Sequence, residues 1–121
     1  MDKKELGILG EALAQELLIR KGFQIVELNW RWKKLEVDII AWDQEELVVV
    51  EVKTRESNYL GEPWEFITKK QQRNLIQAAD QFIKERDIDA WVRFDVVSVV
   101  VNSKGEKVEH LVGAFWPGQV N

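Results

Sequence analysis

Residues 47–55 read LVVVEVKTR, and no other stretch limits the fold so tightly. Side chains on a strand alternate between two faces, so Leu47, Val49, Glu51 and Lys53 share one face and Val48, Val50 and Val52 the other. Both faces are apolar over most of the run, the pattern of a central strand covered on both sides. A carboxylate and an ammonium at the end of such a strand are costly unless they are paired, hydrogen-bonded or bound to a cation. The strand therefore sets two expectations: a layered α/β domain, and a polar site where this strand ends.

The rest of the chain supplies the layers. Leucines 6, 9, 13 and 17 recur at helical spacing, so residues 3–21 are predicted as a helix, with Asp2 as its N-cap and Gly22 as its stop. Short strands are expected at Phe23–Trp30 and Leu35–Trp42. The second is joined to Leu47–Thr54 by the polar turn Asp43-Gln44-Glu45-Glu46. Residues 56–64, ESNYLGEPW, read as a loop. Thr68 and Gln71 match a capping box that opens a second helix, carried on by Leu75, Ala78, Ala79, Phe82 and Ile83. Ala90–Val101 and Lys107–Phe115 form a last pair of strands around a turn at Asn102–Glu106. The order α-β-β-β-α-β-β, with no repeat or linker, predicts one α/β domain over residues 1–121 with a mixed central sheet flanked by helices.

The hairpin turn sets a register. If it is symmetric about the Gln44–Glu45 bond, facing residues have numbers that sum to 89, which places Asp38 opposite Glu51 and Glu36 opposite Lys53 on one face. Like charges facing one another destabilise a sheet. The remedies are a raised pKa on one carboxyl, a lysine between them, or a divalent cation. Three readings follow: a metal site, a structural ion-pair network, or a register broken by a β-bulge. Two carboxylates without His or Cys would form an all-oxygen site suited to Mg²⁺ or Mn²⁺. A lysine beside such an ion can stabilise developing negative charge, the equipment of phosphodiester hydrolysis.

The chain has no cysteine, which excludes disulfides, zinc–thiolate sites and cysteine nucleophiles. Its formal net charge is −4, which argues mildly against a general nucleic-acid coat protein. The positive charge is nonetheless clustered. Lys53, Arg55, Lys69, Lys70 and Arg73 face few acids in their segment, and residues 30–34, WRWKK, interleave aromatic and basic side chains. Scattered charges near the N-terminus and the lack of a long apolar run lead to the expectation of a cytoplasmic protein with no membrane contact. His110, the single histidine, is expected to be structural, and Asp95 to partner Arg93 or a backbone group. The six tryptophans are expected mostly in core or edge positions; for Trp30 and Trp32 the alternative is stacking on nucleobases.

The stretches GILGEALAQELLIRKGF, LEVDIIAW, LVVVEVKTR, KQQRNLIQAADQFI, RFDVVSVV and HLVGAF, taken in order, resemble the YraN-type family of small bacterial proteins. That family is similar to archaeal Holliday-junction resolvases and, more broadly, to the PD-(D/E)XK nuclease superfamily. The resemblance implies a restriction-endonuclease-like αβββαβ core. It also implies Asp38 and Glu51 as metal ligands, Lys53 as the charge-stabilising group and Mg²⁺ or Mn²⁺ as the cofactor. Glu11, in the Gly10-Glu11 pair, would be the additional acidic catalytic residue. From periodicity alone Glu11 lies opposite the leucine stripe, where a solvated side chain is expected. Glu36 matches the acidic position before Asp38, while Leu35 stands where the family pattern has glycine. The implied activity is endonucleolytic cleavage of DNA rather than RNA, on branched or structured substrates whose symmetry would favour a homodimer. The alternative is a non-catalytic nucleic-acid-binding or adaptor module that retains the fold.

Overall fold

The computed structural model describes residues 1–57, 61, 62, 65 and 67–119. Most of the loop expected at 56–64 lies outside them. Helix α1 (Lys3–Arg20) leads into strands β1 (Gln24–Trp32), β2 (Leu35–Asp43) and β3 (Glu46–Arg55). Helix α2 (Lys69–Glu85), strands β4 (Val92–Asn102) and β5 (Gly105–Phe115), and a short 3₁₀ turn at Pro117–Gln119 complete the chain. The strands form one five-stranded sheet in the order β1-β2-β3-β4-β5. Strand β3 runs parallel to β4 and the other pairs are antiparallel. This is an α/β domain with a mixed sheet, consistent with a restriction-endonuclease-like fold.

Both helix starts form as their side chains dictate. Asp2 accepts a hydrogen bond from the Glu5 amide at 2.8 Å. Thr68 and Gln71 satisfy one another's backbone N–H groups at 3.1 and 2.9 Å, a complete capping box. Gly22 follows α1 at φ +90°, a conformation open to glycine at little cost.

The sheet is covered on both sides, as β3 requires. Leu47 and Val49 pack under α2 with Leu75, Ala78, Ala79 and Phe82. Val48 and Val50 pack under α1 with Ala14 and Leu18. The face of α1 differs from the expected leucine stripe: the buried residues are Gly10, Ala14 and Leu18, and Leu13 and Leu17 flank them. The reason is close approach. A Cβ on Gly10 would collide with Thr54 Oγ1, so small residues sit where the helix meets the sheet. Glu11 therefore stands at the edge of the buried face, half-buried, rather than opposite it.

The β2–β3 register is the expected one, from Asp43↔Glu46 to Ile39↔Val50, each pair summing to 89. It stops there. Val37 packs on the α2 side and Ile39 on the α1 side although they are two residues apart, so the alternation slips by one at Asp38. The predicted common face for Glu36, Asp38, Glu51 and Lys53 is corrected accordingly. Glu36 pairs across β1 with Arg31 in a 2.9 Å salt bridge, not with Lys53.

Candidate active site

The slip sends the Asp38 side chain to the end of β3. Asp38 Oδ2 accepts the Val52 N–H at 2.8 Å, so a side chain replaces the ladder partner that β2 no longer supplies. Burial, and next the hydrogen-bonded and like-charged carboxyl of Glu51, push the Asp38 pKa up to about 8, while the Val52 amide and Lys53 oppose the shift. The two carboxyls thus meet, as the facing charges predicted. They approach from different sides of the sheet, however. Asp38 lines the cleft beside α1, and Glu51 lines a smaller recess with Lys34, Leu35, Glu36, Gln71, Asn74 and Leu75 beneath α2.

The α1-side cleft has a volume of about 830 Å³, and Glu11, Asp38, Lys53 and Arg55 are among its walls. Gly10 lets α1 settle on Thr54, and this brings the next residue, Glu11, to the cleft rim. Burial, then Asp38, then Glu36 hold the Glu11 pKa above the ordinary carboxylate value. Lys53 has no salt-bridge partner among the described residues, because Arg31 holds the expected one, Glu36. Arg55 donates to the Thr54 carbonyl at 2.9 Å, which draws its guanidinium back along the cleft wall.

The remaining predicted residues lie apart. Lys69 and Lys70 are exposed on the first turn of α2. Arg73 borders a separate apolar groove with Ile76, Ile83, Val92, Phe94 and Pro117. The capping box already engages the Gln71 amide, so any phosphate at this helix end would rely on side chains instead. Trp30 packs edge-on against Phe82 with ring centroids 5.1 Å apart, partly buried at the margin of the α2-side core, in the core-or-edge position expected of the tryptophans. Trp32 carries the Lys33 ammonium 4.6 Å from its ring centroid at the β1–β2 turn. Leu35, in the glycine position, packs against the α2-side core.

Two neighbours of the acids escaped the sequence reading. Lys3 lines the cleft from the start of α1. Asn29 lies in the middle of β1 at φ +50°. With its nitrogen turned to the acids, its amide reaches Glu11 Oε1 at 2.7 Å and Glu36 Oε1 at 3.2 Å. An asparagine inside a β-rich run was the available signal, since this residue tolerates the left-handed region and is disfavoured in strands.

Among the described residues no three of the Asp, Glu or His side chains converge into a ready cation cage. The donor set still fits a hard divalent ion. Mg²⁺ keeps several waters and commonly takes only one or two protein carboxylates beside a substrate phosphate. Asp38 and Glu51 provide two, and a carboxyl that retains its proton against bulk pH is one that a cation would relieve.

A restriction-endonuclease-like sheet in which Asp38 of β2 meets Glu51 toward the end of the central β3, with Lys53 in no salt bridge among the described residues, defines the class: an α/β domain of PD-(D/E)XK-like architecture. Residues 10–99 match the model of the uncharacterised protein family UPF0102. The chain is 42% identical over 115 residues to a UPF0102 protein of Christiangramia forsetii, with 95% of this chain and 97% of the relative covered. It is 44% identical over 119 residues to one of Flavobacterium johnsoniae, with the same coverage of 95% and 97%. To one of Geobacter metallireducens it is 40% identical over 116 residues, with 95% of each chain covered. The chain belongs to the UPF0102 (YraN-type) family, within the PD-(D/E)XK-like nuclease superfamily. No helix among the described residues is long and apolar enough to cross a membrane.

Proposed function

We propose that this protein is a metal-dependent endonuclease that hydrolyses phosphodiester bonds in DNA, with branched or otherwise structured DNA as its substrate and the cytoplasm as its place of work. One observation carries the reading. The half-buried Asp38–Glu51 pair opens beside Lys53, and no salt bridge from a described residue neutralises it. A scaffold has no use for an arrangement that burial and like charge both oppose.

Asp38 and Glu51 are the residues that would hold Mg²⁺ or Mn²⁺. When bound, the ion supplies a Lewis acid for a phosphate oxygen and makes a water acidic enough to act as nucleophile. The Val52 N–H fixes Asp38 Oδ2, so the carboxylate is oriented before any ligand arrives. The proton that Asp38 retains leaves when the pair takes up its ligand, which makes binding pH-dependent. Lys53 then faces the charge that builds on the phosphate, in a cleft where an ammonium is less screened than in bulk water. Arg55 and Lys3 line the same cleft and favour a polyanion there.

A second reading, a nucleic-acid-binding module without catalysis, draws on the lack of a three-acid cage and on the net charge of −4. The deciding experiment is cleavage of linear, flapped and four-way-junction DNA with Mn²⁺, for wild type and Lys53→Met at equal folded concentration. Junction cleavage by wild type that is lost in the variant supports the nuclease. Binding without cleavage on every substrate, RNA included, selects the module.

A further inference from the structure

Positive φ angles at non-glycine residues mark Asn29, Lys33, Gln44 and Asp87. Lys33 and Gln44 lie in the turns between β1 and β2 and between β2 and β3, and Asp87 follows α2, so each serves a chain reversal or a helix end. Asn29 does neither. It stands inside β1, between Leu28, paired with Ile39, and Trp30, paired with Val37, and so across from Asp38. The left-handed residue of β1 thus adjoins the residue where β2 loses its alternation.

The side chain suggests what the conformation is for. Three acids from two elements crowd here: Glu11 of α1, and Asp38 and Glu36 of β2, whose charges act on Glu11. Carboxylates left to themselves would turn away from one another. The Asn29 amide has two N–H donors and no charge. It reaches Glu11 Oε1 at 2.7 Å and Glu36 Oε1 at 3.2 Å, while Arg31 takes Glu36 Oε2 at 2.9 Å. Glu36 is thereby an anchored base for the clamp, and Glu11 keeps its second oxygen free of Asn29.

We propose that Asn29 is a positioning residue: its carboxamide ties Glu11 to Glu36 and so holds Glu11 beside Asp38 as a third carboxylate facing the cation site. The inference rests on the nuclease reading for the cation, but the clamp itself is a property of the metal-free protein. It explains how an acid on a separate helix is kept at the cleft although the described residues form no tight three-acid cage. It also gives Glu36 a task other than ligation. Groups that orient metal ligands typically change affinity by 10–100-fold when removed.

The test separates backbone from amide. Asn29→Gly accepts the left-handed conformation and deletes only the side chain. Calorimetric titration of the full chain with Mn²⁺ should show affinity reduced about tenfold in Asn29→Gly, similarly reduced in Glu11→Ala, and no lower in the double variant. Asn29→Asp should bind worse than Asn29→Gly, since it adds a fourth acid to the cluster without a donor. In the metal-free protein, the Asn29 side-chain NH₂ signals in a ¹⁵N correlation spectrum should shift in Glu11→Ala. Wild-type Mn²⁺ affinity in Asn29→Gly would overturn the proposal, leaving the position a backbone feature only. Losses that multiply in the double variant would also overturn it, because Asn29 would then not act through Glu11. Unmoved NH₂ signals refute the clamp whatever the metal result. If wild type binds no Mn²⁺ while the NH₂ signals do shift, the nuclease reading and the cation role fall together and only the hydrogen bonds stand.

Discussion

Asp38 on β2 and Asp95 on β4 are two aspartates taken out of bulk water on either side of β3, the first partly and the second almost wholly, and the protein treats them in opposite ways. Asp95 is almost fully buried, and every oxygen is met. Arg93 donates to both of its oxygens at 2.9 and 3.0 Å, the Gly113 N–H at 2.9 Å, and His110 Nε2 lies 2.7 Å away. Burial works to raise its pKa, yet His110, Arg93 and Gly113 together hold it below the ordinary value. Arg93 extends the network to Asp43 and Glu46 at the hairpin turn, and Lys21 lies 2.8 Å from His110 Nδ1. Asp38 has one backbone amide and a second carboxyl, and its pKa moves the other way. A buried charge with a full set of donors ties strands together. A partly buried carboxyl left short of donors, and so holding its proton, is a site prepared for something the chain itself does not provide.

The comparison can be broken at Asp95 first, where the largest effect is expected. Asp95→Ala leaves Arg93 with Asp43 and Glu46 alone and takes the buried acceptor from Arg93 Nε, His110 Nε2 and the Gly113 amide, so stability should fall by about 3–5 kcal/mol in urea denaturation. A loss under about 1 kcal/mol would mean the network is ornamental and the contrast unfounded. Next in size is Lys53→Met, which keeps the apolar stem and removes the charge. Cleavage should drop roughly 10²–10³-fold with DNA binding and folding largely intact. Full activity in that variant would leave Lys53 without a catalytic task.

The pH dependence sharpens the contrast, because the two aspartates have opposite signs. Asp38 keeps its proton in the folded state up to about pH 8, whereas the unfolded chain has lost it above about pH 4. Its contribution therefore lowers the stability of the metal-free protein progressively between those values. Asp95, with a depressed pKa, contributes stability above its unfolded pKa near 4 that is lost as pH falls through its lower folded pKa. Asp38→Asn should accordingly be more stable than wild type at pH 8 without metal, by about 1–3 kcal/mol, and equal to it near pH 4. Mn²⁺ should raise the wild-type Tm more than that of Asp38→Asn, by linkage to the folded state. Equal Mn²⁺ shifts would remove the metal site. The smallest effect is expected from the surface: Ala at Lys69, Lys70 and Arg73 together should weaken DNA binding alike for all sequences and flatten its salt dependence by up to about three units of slope. An unchanged slope would transfer the DNA path to the WRWKK turn.

Much of this contrast was legible in the chain. Valine-rich β3 implied cover on both faces, the polar turn implied the sum-89 register, and both were found. Arg93 two residues before Asp95 on the same strand face implied their pairing, because strand periodicity brings i and i+2 together. His110 proved part of that structural network. The site was less legible. Spacing brought Asp38 to Glu51 but on the wrong geometry, and it assigned Lys53 a partner that Arg31 had taken.

What the sequence determined by itself were the interactions of short range: caps, hairpin register, strand alternation and the pairing of neighbours. These depend on residues a few positions apart, whose geometry is nearly constant from one protein to another. Only the tertiary structure decided which face of α1 is buried, because the close approach at Gly10 and Thr54 outweighs the leucine count. It alone turned Glu11 toward the cleft, placed Asn29 across from Asp38 and left Lys53 without a salt bridge among the described residues. Each of those outcomes requires two or three elements to be docked at once, and docking distance is set by the packing of the whole core rather than by any local pattern.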